Sequence, residues 1–137
     1  MEKTFSLQPG SIIQFKRSYY SHYGVYYKRN KVIHFDGTIQ EKQGSSVILS
    51  NLYDISGEPF IVTDKYYNLE PIQSCDFIER CNDVLGTEDY NILWNNCEHM
   101  ATYIRYGKKV SRQVKQFYLN FSIISFTILL TSEILKL

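Results

Sequence analysis

Cys97 follows the pair Asn95-Asn96 and opens a run in which Cys97, Met100, Ala101 and Ile104 recur at helical spacing. An asparagine just before such a run is a favourable helix N-cap, so the thiol falls at or near the first helical position. Unpaired backbone N–H groups and the positive end of the helix dipole meet there, and both favour a thiolate, the nucleophilic form of cysteine. Such a nucleophile needs a base within hydrogen-bond reach and a group to orient that base. His22 and His34 are the candidates. His99, two residues past Cys97, points to a different helix face and reads as a supporting or surface residue. The bland alternative for a lone cysteine on an apolar stripe is packing.

The histidines lie in the two arms of SYYSHYGVYYKRNKVIHFDG, aromatic and β-branched runs around Lys28, Arg29 and Asn30 that read as a β-hairpin. A two-residue loop at 29 and 30 would put His22 and His34 on opposite faces of the sheet. A three-residue loop at 28 to 30 pairs Gly24 with His34 and makes His22 its diagonal neighbour, so both rings share one face. Tyr23, Val25, Tyr27, Ile33 and Phe35 then form an apolar opposite face. The odd loop is the expectation, with Asn30 in the left-handed conformation it tolerates best.

The elements around these residues predict an α+β fold with a small antiparallel sheet. SIIQF (11–15), VILSNLY (47–53) and PFIVTDKYY (59–67) read as further strands, the last two separated by the breaker Ser56-Gly57. Ser74 is placed as the cap of a helix with Phe77, Ile78, Cys81 and Leu85 on one stripe, closed by Gly86. The second helix, which starts at one of Asn95 and Asn96, carries Glu98 in its first turn, where the dipole favours an acid, and ends at Gly107.

The 137 residues suit one globular domain, and a net charge of +1 argues against a general nucleic-acid binder. Residues 1–107 carry ten basic and thirteen acidic groups and residues 108–137 five and one, so a body of −3 precedes a tail of +4. Twelve Tyr, eight Phe and one Trp supply rings suited to a core or a lipid interface. Cys75, Cys81 and Cys97 cannot form a fully paired disulfide framework, and MEKTFSLQPG has no apolar leader run, so free thiols in a cytosolic body are expected. Cys81 reads as core, and Cys75 as a helix-start thiol with no histidine near it in sequence. No metal or other cofactor is expected, because no C-x2-C or H-x3-H spacing occurs.

The segments PGSIIQFKRSYYSHYGVYYKRNKVIHF and NNCEHMATYIRYGKKVSRQV resemble the lecithin:retinol acyltransferase-like superfamily, most of all the HRAS-like suppressor phospholipase A/acyltransferase family. The resemblance runs from about Pro9 to Val114. It implies a permuted papain-like fold with the cysteine-bearing helix packed on an antiparallel sheet. It also implies a cysteine that takes an acyl group from a phospholipid as a thioester, then passes it to water, an amine or a lysophospholipid, without a metal. On that pattern Cys97 matches the nucleophile, His22 the base, His34 the orienting histidine and Tyr20 a tyrosine that helps hold the oxyanion. Tyr23 and Met100 depart from the family's Trp and Phe, and the segment 36–73, expected to line the substrate mouth, is less recognisable. The retinol-specific branch is disfavoured, because its long insertion is not seen. Two alternatives remain: a noncatalytic membrane-tethered interaction module that keeps the motif, as in some viral proteins, and a papain-like peptidase or deamidase.

Phe117–Ser132 holds no charged residue, and 13 of the 21 residues from Phe117 to Leu137 are apolar. As a helix rising about 1.5 Å per residue they reach about 31 Å, enough for a bilayer core. Lys108, Lys109, Arg112 and Lys115 precede the stretch and predict a single-pass C-terminal anchor, with the body on the cytoplasmic face of an intracellular membrane. The expected division is a domain over 1–114 and an anchor over 115–137. The alternative is an amphipathic helix completing the domain.

Overall fold

Runs rich in Ile, Val, Tyr and Phe form five antiparallel strands in the computed structural model, which describes residues 7–17, 20–36, 44–55, 60–63, 67–92 and 95–136. They are β1 (Ile12–Lys16), β2 (Ser21–Lys28), β3 (Lys31–Phe35), β4 (Val47–Asn51) and β5 (Phe60–Val62), in the order β4-β3-β2-β1-β5. Among the described residues four helices accompany them: α1 (Leu52–Ile55), α2 (Ser74–Val84), α3 (Cys97–Tyr106) and α4 (Arg112–Leu135). The fold is α+β, as expected.

The pleat sorts the side chains into two cores. Ile12, Tyr23, Val25, Ile33, Phe35 and Val47 pack against Phe77 and Cys81 of α2 and against Cys97, Met100, Ala101 and Ile104 of α3, with Tyr27 at the margin. This contains the whole apolar hairpin face anticipated from sequence. Ile13, Phe15 and Val32 pack with Leu52 on the other side. Burying such side chains stabilises the fold by roughly 1.5–3 kcal/mol each.

The hairpin has the expected register, Gly24 opposite His34, but reaches it by another route. Lys28 pairs with Lys31, so the tip is only Arg29 and Asn30, with φ of 48° and 57°. Two left-handed residues match the twist of the flanking strands. The odd residue is absorbed instead by an irregularity between Tyr26 and Lys28, a bulge at Tyr27. Gly24 has no room for a side chain, since a Cβ there would lie 2.5 Å from Val32 Cγ1.

Other boundaries differ from the sequence reading, β1 by one residue, Ile12–Lys16 in place of 11–15. The strand begun at Val47 ends at Asn51, because Leu52 gives its N–H to the Asn30 carbonyl and turns into α1, burying its side chain. The N-cap of α2 is Gln73, without a side-chain cap bond, and Ser74 is the first helical residue. The strand read over 59–67 is observed as Phe60–Val62; residues 59 and 64–66 and the breaker Ser56-Gly57 lie outside the described residues, as does Tyr19. Asn96, not Asn95, caps α3, and Gly107 closes it at φ 75°.

Helix α4 has 24 residues, none of them buried. It starts at Arg112, so the division expected after 114 falls within its first turn. Its apolar side chains, among them Phe121, Ile124, Phe126 and Leu129, stand exposed. Four of its hydroxyls are satisfied within the helix: those of Ser122, Thr127 and Thr131 donate to the carbonyls four residues back and that of Ser132 to Leu129.

Candidate active site

The start of α3 meets the start of β2. Asn96 Oδ1 accepts the N–H groups of Glu98 and His99, while the Asn96 N–H donates to His99 Nδ1 at 3.2 Å. This reciprocal cap holds Cys97 as the first helical residue. It also gives His99 a definite task. The ring is buried, and desolvation, opposed by the nearby Glu98 charge and aided by Lys109, holds its pKa below the usual 6.5. His99 is therefore a capping partner rather than a surface residue.

Cys97 Sγ lies 3.2 Å from His22 Nδ1, His22 Nε2 lies 3.0 Å from His34 Nδ1, and His34 Nε2 lies 2.9 Å from Ser50 Oγ. Cys97, His22 and His34 are all buried. The two imidazoles meet edge to face, 5.2 Å between centroids, and Phe15 lies 5.9 Å from the His22 ring. For His22 Nδ1 to take the thiol proton, Nε2 must carry the ring's hydrogen and donate to His34 Nδ1. His34 Nε2–H then donates to Ser50. This tautomer set satisfies all three contacts before and after proton transfer.

Ser50 was not anticipated from sequence. It sits on β4 opposite Val32, diagonal to His34, and a serine in an alternating strand reads as solvent-facing. Tyr90 was also missed. Its ring packs edge to face on Phe35, and burial first, then Cys97 and Tyr20, push its phenol pKa above the usual range. Tyr20 and Tyr90 thus lie within electrostatic reach of one another, and Tyr90 within that of Cys97. Tyr20 stands just before β2, its carbonyl accepting the Arg17 N–H. Cys81 packs in the core, where desolvation raises its thiol to about 12, and Cys75 is exposed.

The first turn of α3 offers fewer free amides than a bare helix start, since those of Glu98 and His99 are committed to Asn96. Among the described residues no cluster of His, Cys, Asp and Glu is arranged to hold a metal ion. An open cleft of about 770 Å³ lies between the first turns of α4 and Gln14, Tyr23 and Tyr67, and neither Cys97 nor His22 lines it.

A thiol at a capped helix start, met by a strand histidine that a second histidine backs, defines an α+β protein equipped for nucleophilic chemistry at sulfur. The family described as lecithin retinol acyltransferase matches residues 6–110, and the chain belongs to that family. It is 28% identical over 135 residues to lecithin retinol acyltransferase of Mus musculus, covering 80% of this chain and 58% of that protein. It is 31% identical over 122 residues to phospholipase A and acyltransferase 1 of Homo sapiens, covering 79% and 73%. The chain thus spans somewhat over half the length of the lecithin retinol acyltransferases it matches.

Proposed function

We propose that this protein is a membrane-associated phospholipase A and acyltransferase working through a thioester on Cys97, on a permuted papain-like fold. The observation that carries the reading is the 3.2 Å contact between Cys97 Sγ and His22 Nδ1, continued to His34. The names of the relatives supply the class of reaction.

In the proposed first step His22 takes the thiol proton and the sulfur attacks the ester carbonyl of a glycerophospholipid. The C–S bond forms, the C–O bond breaks, and His22 returns the proton to the departing lysophospholipid oxygen. In the second step His22 takes a proton from water, an amine or a lysophospholipid hydroxyl, whose attack on the thioester carbonyl breaks the C–S bond and releases the acyl group; His22 then returns the proton to the sulfur. Splitting the transfer replaces one slow displacement by two easier ones. His34 keeps the His22 ring in the tautomer that can accept at Nδ1, and Ser50 does the same for His34. The Tyr20 hydroxyl, with the Cys97 N–H, steadies the tetrahedral oxyanion; losing one such donor costs roughly 3–4 kcal/mol in other enzymes. No metal enters.

The proposed division is a catalytic body over 1–114 and an anchor over 115–137, with the body on the cytoplasmic side. At about 1.5 Å per residue the 24 residues of α4 reach about 36 Å, against a hydrocarbon core of about 30 Å. Its exposed apolar surface and internally bonded hydroxyls suit lipid. The basic group from Lys108 to Lys115 suits the headgroups. An anchored enzyme meets its substrate at high local concentration.

The test mixes the purified protein with phosphatidylcholine vesicles, records intact mass with and without hydroxylamine, and assays free fatty acid, using Cys97→Ala as control. A hydroxylamine-labile acyl adduct and fatty acid release, both confined to wild type, are expected. Neither product from folded, vesicle-bound wild-type protein would overturn the proposal and favour a noncatalytic module.

A further inference from the structure

Glu98 is fully buried directly after the nucleophile, and its carboxylate is bonded on both oxygens. Oε1 accepts from the Tyr67 hydroxyl at 2.9 Å; Oε2 accepts from Ser111 Oγ at 2.6 Å and from the Gln113 N–H at 3.1 Å. Ser111 is the N-cap of α4 and Gln113 lies in its first turn, so one negative charge sits at the positive ends of both α3 and α4. The two caps also touch, Asn96 Nδ2 donating to Ser111 Oγ at 3.4 Å.

Gln113 carries the connection to the sheet. Its Oε1 accepts the Ser21 N–H at 3.0 Å and its Nε2 donates to the Ser21 carbonyl at 3.3 Å. Ser21 immediately precedes His22. A path therefore runs from Cys97 through Glu98, Gln113 and Ser21 to His22. The Sγ to Nδ1 contact closes it into a ring.

From this closed ring we propose that Glu98 and Gln113 are positioning residues for the acyl transfer, fixing the separation of Cys97 and His22 without touching substrate. The inference rests on reading Cys97 and His22 as the reacting pair. With the path through Glu98 and Gln113 cut, packing carries more of the placement of α3 against β2, and packing tolerates sliding far better than directed hydrogen bonds do. A misplacement of about 1 Å can cost about 100-fold in rate.

The experiment compares wild type with Gln113→Met, which keeps length but loses the amide, and with Ser111→Ala and Ser111→Thr, of which only the threonine keeps the hydroxyl. Two readouts are taken on protein shown to be folded by circular dichroism: turnover on phosphatidylcholine vesicles, and lipid-free iodoacetamide alkylation quantified on the peptide bearing Cys97. For Gln113→Met, kcat is expected to fall about tenfold at unchanged KM, Cys97 alkylation to slow about tenfold, and Cys75 alkylation to stay the same. Ser111→Ala should fall with it and Ser111→Thr should stay near wild type.

A folded Gln113→Met protein with wild-type turnover and alkylation would overturn the inference. So would a loss of stability without either change. Should Gln113→Met fail to fold, the serine pair decides, and equal Cys97 alkylation in Ser111→Ala and Ser111→Thr is the overturning result. Wild type that alkylates but never turns over would sink the acyltransferase reading alone, and the alkylation comparison would still judge the ring.

Discussion

Helices α2 and α3 each carry a cysteine in the first turn, but in different surroundings. At α2, Gln73 makes no side-chain cap bond, Cys75 is exposed, and the polar group found near its sulfur is the Asp76 carboxylate at 3.7 Å. At α3, Asn96 caps two amides, Cys97 is buried, and an imidazole lies 3.2 Å from the sulfur. A dipole is common to both positions; of the two, Cys97 is the one with an imidazole within hydrogen-bond reach of its sulfur and a second imidazole bonded to the first. On the proposed mechanism the helix start alone does not make a nucleophile, and sheet register decides which thiol gets a partner.

The largest expected effect separates the two thiols directly. Cys97→Ala should lower fatty acid release by about 1,000-fold or more, whereas Cys75→Ser should leave it within about twofold. In the same folded protein Cys97 should alkylate about tenfold faster than Cys75 despite its burial, and Cys81, held up to about 12, should not react before unfolding. Faster reaction at Cys75 would break the comparison.

Substitutions along the histidine path should grade the partner's contribution. His22→Ala should cost about 100- to 10,000-fold in kcat, the range of a positioned general base. His34→Gln should cost less, and Ser50→Ala only about two- to fivefold, because each acts through its neighbour. The inverse order would mean that His22 is not the base.

The caps make a smaller, thermodynamic contrast. Asn96→Ala should destabilise by about 2 kcal/mol, since it leaves the Glu98 and His99 amides without their acceptor, while Gln73→Ala should stay within about 0.5 kcal/mol. Urea midpoints at constant slope decide this.

His99 gives the smallest and most specific effect. Its pKa in the folded protein lies below 6.5, so on acidification the unfolded chain binds the proton first. The stability that neutral His99 contributes is fully present above pH 6.5 and declines as the pH falls below it. His99→Gln restores a cap acceptor without a titrating ring, and should flatten this part of the stability profile. An unchanged slope would place the acid sensitivity elsewhere.

What could be read beforehand follows the range of each interaction. The apolar face of the hairpin and the α3 stripe are local patterns, and both appear in the first core as anticipated. The pairing of Gly24 with His34 was also legible, because it is the register that puts both imidazoles on one face. The bulge was not, since an odd loop and an even loop plus one bulged residue give the same pairing. Leu52 and Tyr53 favour strands, so nothing local announced that the Asn30 carbonyl would capture the Leu52 amide. Glu98 was legible only as an acid at a helix start. Its partners lie 13 to 31 residues away and are set by tertiary structure alone.

The bulge at Tyr27 makes the hairpin tip a matter of counting rather than of chemistry. Arg29 and Asn30 are exposed and far along the strand from His22, and residues tolerant of positive φ can replace them. Straightening the ladder with Tyr27 still in place and the two-residue tip kept would pair Val25 with His34 in place of Gly24. That half-period slip turns one imidazole to the far side of the sheet. The distal end of the molecule is therefore permissive of spelling but not of register, and loss of the one-residue bulge there would part the two imidazoles without altering any residue that touches the thiol.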